Sequence, residues 1–340
     1  MRDSEIRTKS LEKMAQDLVR EHVGIPIVRV EKIALGVMTF KYVVELDSGQ
    51  RYVVRFYPSS RSEVVQYEPD ILRRCFAAQI FVPEVVADSR SSPKAPLEYM
   101  IYRWIEGVPL AARLPMLAED SLAEVARSLV ACIGRLHEIE VAGYGELVDG
   151  ARARSISWKS FLEDSFRLGI NATMNERLVS EEVLEKLRFV QEHLGKFSTL
   201  SRTGLVWGDI SPEHVLLDKH DRLTGLVDLE SILAGDILLN LGYAYARYSG
   251  TRLFEALLRA WSCRLEEDLW AKIELYAILR ALRILQNSHR PLPTGEARMP
   301  IQGFLPGLDK AIDGLCRRIS TRSEVMLSTG GDGPKGRKEG

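Results

Sequence analysis

Two short apolar runs, Val215 to Leu217 and Leu223 to Val227, flank Lys219-His220-Asp221-Arg222, and no other stretch restricts the fold of this chain as strongly. Branched apolar residues on both sides of a short polar loop predict a β-hairpin. Centring the hairpin on Asp221 puts position 214 opposite position 228, because the two lie equally far from the centre. His214 and Asp228 then stand side by side at the open end. Asp209 lies just upstream, on the entering segment Trp207-Gly208-Asp209-Ile210-Ser211-Pro212-Glu213. Three polar side chains converging where two apolar strands end are what a metal and phosphate site needs.

A chain of 340 residues can bury a large core and divide into about two lobes. Its formal net charge of -1 gives no electrostatic case for nucleic acid or an anionic membrane as partner. Cys75, Cys132, Cys263 and Cys316 are widely spaced with no CxxC pair, which fits inert reduced thiols better than zinc ligation or a disulfide frame. The charged start Met1-Arg2-Asp3-Ser4-Glu5 leads into no secretory signal. Nor does any window approach the roughly eighteen unbroken apolar residues of a membrane span. A cytoplasmic protein is therefore expected, with a disordered tail over 323–340 rich in Gly, Ser and charge.

Leu11, Met14, Leu18 and Val19 recur at helical spacing. A β-rich block follows: Val28 to Ile33, Lys41 to Leu46, a turn at Asp47-Ser48-Gly49-Gln50, then Arg51 to Tyr57. A further strand runs Tyr99-Met100-Ile101-Tyr102. Helices are predicted over 122–136, 158–168, 181–194, 253–265 and 267–286, so the second half reads as mostly helical.

Trp207-Gly208-Asp209, His214 and Val227-Asp228-Leu229 together resemble the signature of the aminoglycoside phosphotransferase superfamily, the kinase-like phosphotransferases of small molecules. Leu136-His137, Gly143-Tyr144-Gly145 and Gly235-Asp236 are similar to further elements of that family, and the likeness spans roughly residues 28 to 245. The resemblance implies an α+β, protein-kinase-like, two-lobed fold. The β-rich nucleotide-binding lobe would cover 1–102, a hinge 103–110, and a mostly helical catalytic and substrate lobe 111–322. It also implies transfer of the γ-phosphate of ATP or GTP to a hydroxyl of a small molecule, with Mg2+, or alternatively Mn2+, as cofactor.

On the same resemblance Asp209 orients the acceptor hydroxyl and takes its proton, and His214 and Asp228 are the metal ligands. Gly36 belongs to the turn that covers the nucleotide phosphates. Arg55 stands where the family has a Lys or Arg, and Glu68 pairs with it. Arg103 and Ile105 offer backbone groups to the base. Two positions depart from the pattern. His214 replaces the usual Asn, as in macrolide phosphotransferases, and is a softer ligand than a carboxamide oxygen. Trp207 replaces the His that braces the catalytic segment, and a Trp can brace by packing. His137, at a helix end, reads as a structural cap.

The acceptor stays open between an antibiotic, macrolide or aminoglycoside, and a metabolic alcohol such as a sugar, choline-like compound or amino alcohol. A nucleotide-binding module of weak activity is the reading from outside enzymology. An acidic run, Glu266-Glu267-Asp268, suits a polycation. An apolar floor from Trp261, Leu269, Trp270, Ile273, Tyr276 and Leu279 suits a macrolide, although that spacing is also a core stripe.

Overall fold

In a computed structural model the described residues are 2–34, 38–90, 96–197, 199–200, 202–261, 267–287 and 303–329. The first helix, α1 (Arg2–Val23), precedes β1 (Ile27–Ile33), β2 (Phe40–Leu46) and β3 (Arg51–Tyr57). Then come α2 (Glu68–Ala77), β4 (Val85–Asp88) and β5 (Glu98–Arg103). These strands form one antiparallel sheet in the order β1-β2-β3-β5-β4. Side chains alternate across such a sheet. Tyr42, Val44 and Leu46 of β2 and Tyr52, Val54 and Phe56 of β3 bury one face beneath Leu11, Ala15, Leu18 and Val19 of α1. The period of two therefore turns Arg55 and Tyr57 to the other face, towards the rest of the chain.

Beyond β5 the chain builds β6 (Val108–Pro109), α3 (Leu110–Arg113), α4 (Glu119–His137), β7 (Tyr144–Leu147) and β8 (Ala153–Ser155). Helices α5 (Trp158–Asn175) and α6 (Glu181–Glu192) follow, each opened by a serine, Ser157 or Ser180, that accepts a hydrogen bond from a first-turn amide. Next are β9 (Thr203–Trp207), β10 (Val215–Leu217), β11 (Leu223–Leu226) and β12 (Ile232–Asp236). The chain closes with α7 (Leu239–Tyr248), α8 (Arg252–Ala260), α9 (Glu267–Asn287) and α10 (Leu305–Thr329). Helix α9 is wedged among α5, α7 and α10, and Ile273, Tyr276 and Leu279 are fully buried there. The apolar stripe is thus core at these three positions rather than a substrate floor. The side chains of 262–268, which include the acidic run, lie outside the described ones, as does Gly36.

The structure corrects three expectations. The second half contains a four-stranded sheet, β8-β7-β12-β9, that the helical reading missed. Strand β12 is buried at all five positions, so Ile232-Leu233-Ala234-Gly235-Asp236 carries no alternation to read. Helix α10 continues to Thr329, past the expected start of the disordered tail at 323; residues 330–340 lie outside the described ones. Finally, the hairpin register differs by one: Val215 pairs with Leu226, and the Val227 amide donates to the His214 carbonyl at 2.9 Å. His214 is thus opposite Val227, not Asp228.

A one-residue slip normally sends a side chain to the opposite face. Here Asp228 adopts a left-handed conformation, φ 63° and ψ 53°, directly after the strand, and its carboxylate still meets His214.

Burial pushes the Cys75 thiol up to about 12 and raises that of Cys132, in keeping with inert core cysteines. Cys263 lies outside the described residues.

Strand β9 passes so close to α4 that a Cβ on Gly204 would lie 1.8 Å from the His137 carbonyl oxygen. Gly204→Ala is expected to cost about 3 kcal/mol or more, because backbone has to move. A reduced urea midpoint with an unchanged m-value checks this. His137 itself is buried, with Nδ1 3.2 Å from the Leu205 carbonyl, and burial holds its imidazole below the ordinary value. As pH falls, the unfolded chain takes up this proton first, so stability drops below about pH 6.5. A pH series of melting temperatures is expected to show a shallower acid limb in His137→Gln.

Candidate active site

Arg55 is the hub of the site. It is 2% exposed, and its guanidinium meets Glu68 Oε1 at 2.7 Å, Thr39 Oγ1 at 3.1 Å, Asp228 Oδ1 at 3.0 Å, and Glu230. Tyr57 donates to the second Glu68 oxygen at 2.6 Å. Burial opposes the charge on Arg55, but Glu68, then Glu230 and Asp228, more than offset it and keep the guanidinium ionised. Glu68 can reach Arg55 because Pro69 fits the first helical turn, where its missing amide proton costs nothing. The β-rich half is thereby fastened through Arg55 to the segment after β11.

Asp228 accepts from two cations of the β-rich half. Lys41 donates to its Oδ2 at 3.1 Å, while Arg55 holds Oδ1. Burial alone would raise the Asp228 carboxyl; Arg55, then Lys41, outweigh it and hold it well below the ordinary carboxylate range. His214 Nδ1 lies 3.3 Å from the Asp209 carbonyl oxygen. A carbonyl only accepts, so this contact places a proton on Nδ1, and in the neutral ring Nε2 is then the acceptor. That nitrogen faces Asp228 Oδ2 across 3.7 Å. Two acceptor atoms turned towards each other at this separation fit a divalent cation whose remaining positions go to water and phosphate. Among the described residues no group of three or more His, Cys, Asp or Glu forms a self-contained metal site.

Asp209 stands at the rim, with its side chain about a third exposed. The His214 ring is 3.8 Å from its Oδ2, and Arg280 of α9 donates to Oδ1 at 2.8 Å. Arg280 also stacks over Tyr243, 5.3 Å from the ring centre. Two described carboxylates on this side have partners: Glu146 pairs with Arg283, and Glu213 accepts from Ser211 and lies 3.9 Å from Arg247.

The entering loop is fixed from beneath. The Gly208 amide donates to the Ser231 carbonyl at 3.0 Å, and a Cβ on Gly208 would lie 2.2 Å from that oxygen. The Trp207 amide donates to Asn240 Oδ1 at 3.1 Å, but its buried indole Nε1 has no partner, so the ring braces by packing alone. Buried Asp236 accepts from Tyr276 at 2.9 Å and from the Leu238 amide at 3.0 Å, which ties β12 to α7 and α9.

Between the halves, the Arg103 amide is committed to the Glu84 carbonyl at 2.9 Å and its side chain to Glu84 and Tyr52. Ile105 packs on β11: a Cβ on Gly225 would come within 2.7 Å of it.

The structure thus brings Arg55, Glu68, Asp209, His214 and Asp228 into one contiguous network and leaves Arg103, the last residue of β5, and Ile105 on the connecting segment. Sequence reasoning missed Lys41, Glu230 and Arg280. Lys41 was detectable as a cation within the apolar strand Phe40-Lys41-Tyr42-Val43-Val44, and Glu230 as an acid two residues past Asp228. Arg280 carries no local signal.

A β-sheet half joined to a helical half by a strand, with this network between them, defines a kinase-like fold. The pattern of the APH phosphotransferase enzyme family matches residues 29–293, and the chain belongs to that family. It is accordingly a phosphotransferase with an alcohol group as acceptor.

Similar solved structures include a thermostable mutant of aminoglycoside phosphotransferase APH(4)-Ia in ternary complex with ADP and hygromycin B. It is 17% identical, with a TM-score of 0.65, over 92% of this chain and 98% of that one. The GDP complex of aminoglycoside 2'-phosphotransferase-IIIa is 16% identical, with a TM-score of 0.62, over 92% and 99%. ADP-bound APH(2'')-Ib is 15% identical, with a TM-score of 0.58, over 89% and 97%. No curated protein matches the chain in sequence. Among the described residues no helix is long and apolar enough to cross a membrane.

Proposed function

We propose that this protein transfers the γ-phosphoryl group of ATP or GTP to a hydroxyl of a small molecule of the antibiotic class, with magnesium. One observation carries the reading: a single buried guanidinium, Arg55, joins Glu68 to Asp228, whose other oxygen faces the His214 lone pair next to Asp209. Phosphoryl transfer needs phosphate charge neutralised, the acceptor aligned, and a place for its proton.

Arg55, positioned by Glu68, faces the triphosphate as a fixed positive charge. Asp228 and His214 would hold the metal, which would supply charge neutralisation. Asp209 orients the acceptor hydroxyl and takes its proton late in transfer. The base lies against the segment from Arg103 to Ile105. Because the Arg103 amide is committed, its carbonyl and the Ile105 backbone remain as the polar contacts.

Arg280 on Asp209 disfavours a polycation as acceptor. A ligand with several ammonium groups would meet Arg280, Arg283 and Arg247 while Glu146 and Glu213 are already paired. A macrolide fits this better than an aminoglycoside, and an alcohol bearing a carboxylate fits equally well. The test is product mass after incubation with magnesium and ATP or GTP against macrolides, aminoglycosides, sugars, amino alcohols and hydroxy acids. One phosphoryl gain on a macrolide, or on another acceptor with at most one positive charge, is expected. Turnover of aminoglycosides alone would reverse the acceptor assignment, and nucleotide binding with no product in any metal would favour a regulatory module.

A further inference from the structure

Lys41 lies directly across β2 and β3 from Arg55, on the same face of the sheet, since cross-strand partners share a face. The two cations divide Asp228 between them, Arg55 on Oδ1 and Lys41 on Oδ2. They differ in how they are held. Arg55 is locked by Glu68, Glu230 and Thr39. The ion-pair partner of Lys41 among the described residues is Asp228, and its ammonium sits on a flexible four-carbon stem. The oxygen that Lys41 occupies is also the one that His214 Nε2 faces. A divalent cation between His214 and Asp228 must take that oxygen, and the ammonium would then face it as a like charge at contact range.

We propose that Lys41 is a displaceable counter-ion of the metal site, which neutralises Asp228 at rest and moves to a nucleotide phosphate when metal and nucleotide bind together. The triphosphate carries more negative charge than one divalent cation cancels, so the displaced ammonium has an anion to go to. Arg55 cannot exchange in this way without stranding Glu68 and Glu230. The proposal rests on Asp228 being the metal ligand and gives Lys41 a role of its own: it opposes binding of the bare metal and supports binding of the metal–nucleotide pair.

The two effects have opposite signs, which a merely structural salt bridge does not produce. Lys41→Met keeps the stem and leaves Arg55 on Asp228, so the variant should fold, as thermal melting verifies. Binding of Mn2+ alone is read by the loss of free-ion EPR signal, and binding of AMP-PNP at saturating Mn2+ by calorimetry. Lys41→Met is expected to bind Mn2+ alone about tenfold more tightly and AMP-PNP with Mn2+ about tenfold more weakly. Lys41→Arg should recover most of the nucleotide affinity. Affinities that fall together, or do not change, overturn the proposal. Asp228→Asn separates the two readings. If it abolishes Mn2+ binding while Lys41→Met lacks the opposed shifts, only the Lys41 role is lost. If it leaves Mn2+ binding intact, the metal assignment fails and the Lys41 role with it.

Discussion

Asp209→Ala lowers phosphoryl transfer about a thousandfold while nucleotide affinity stays within about twofold of wild type. The expectation follows from where Asp209 sits. Its carboxylate is at the exposed rim, held by Arg280 at 2.8 Å and bordered by His214, and makes no contact with Arg55 or Lys41. Removing it leaves the phosphate cations and Asp228 in place, so donor binding should survive. What is lost is the group that aligns the acceptor and takes its proton, and that loss belongs in kcat. Asp209→Asn sharpens the point, because an amide of the same shape can still accept from Arg280 yet cannot take a proton. A comparable drop in the Asn variant assigns the loss to charge and basicity. Isothermal titration with nucleotide and initial rates with the accepted alcohol check both halves.

Asp228→Ala has the larger structural effect. Arg55 and Lys41 then face each other across two strands without the carboxylate that separates them, and Arg55 is buried. Breaking a buried pair by removing one partner costs about 3 kcal/mol or more; Glu68 and Glu230 remain on Arg55 and keep the loss near the lower end. Metal–nucleotide affinity and transfer should both collapse.

The stability loss should also depend on pH in a defined direction. The folded Asp228 carboxyl lies below its unfolded value, so its stabilisation is fully present above about pH 4 and disappears as pH falls through the lower folded value. Urea midpoints of wild type and Asp228→Ala should therefore differ clearly at neutral pH and converge in acid. A gap that persists unchanged into strong acid contradicts the carboxylate as its source.

The sequence disclosed the hairpin because its two strands are short, branched and separated by a polar loop. Arg55, in the third strand, and Glu68, at a proline-opened helix, were singled out through the family resemblance, because a lone Arg-Glu pair reads as a surface ion pair. The exact pairing of His214 could not be read in the same way. The register slips by one residue, and the left-handed backbone of Asp228 brings the carboxylate back to His214. A positive φ on an Asp leaves no mark in a linear pattern. Strand β12 was missed because an element buried on both faces has no period. Arg280 was missed because only the packing of α9 against α7, through Tyr243, carries it to Asp209. Lys41 was overlooked for a different reason, since a lysine in a strand next to a loop is commonly solvated.

The account stands on Arg55, Asp209, His214 and Asp228 acting as one phosphoryl-transfer site. The most direct measurement is single-turnover transfer of a radiolabelled γ-phosphoryl group to the accepted alcohol by wild type, Asp209→Ala and Asp228→Ala. Label should reach the alcohol in wild type and in neither variant, with donor still bound by Asp209→Ala. Transfer at the wild-type rate by both variants would contradict the account and place the chemistry elsewhere.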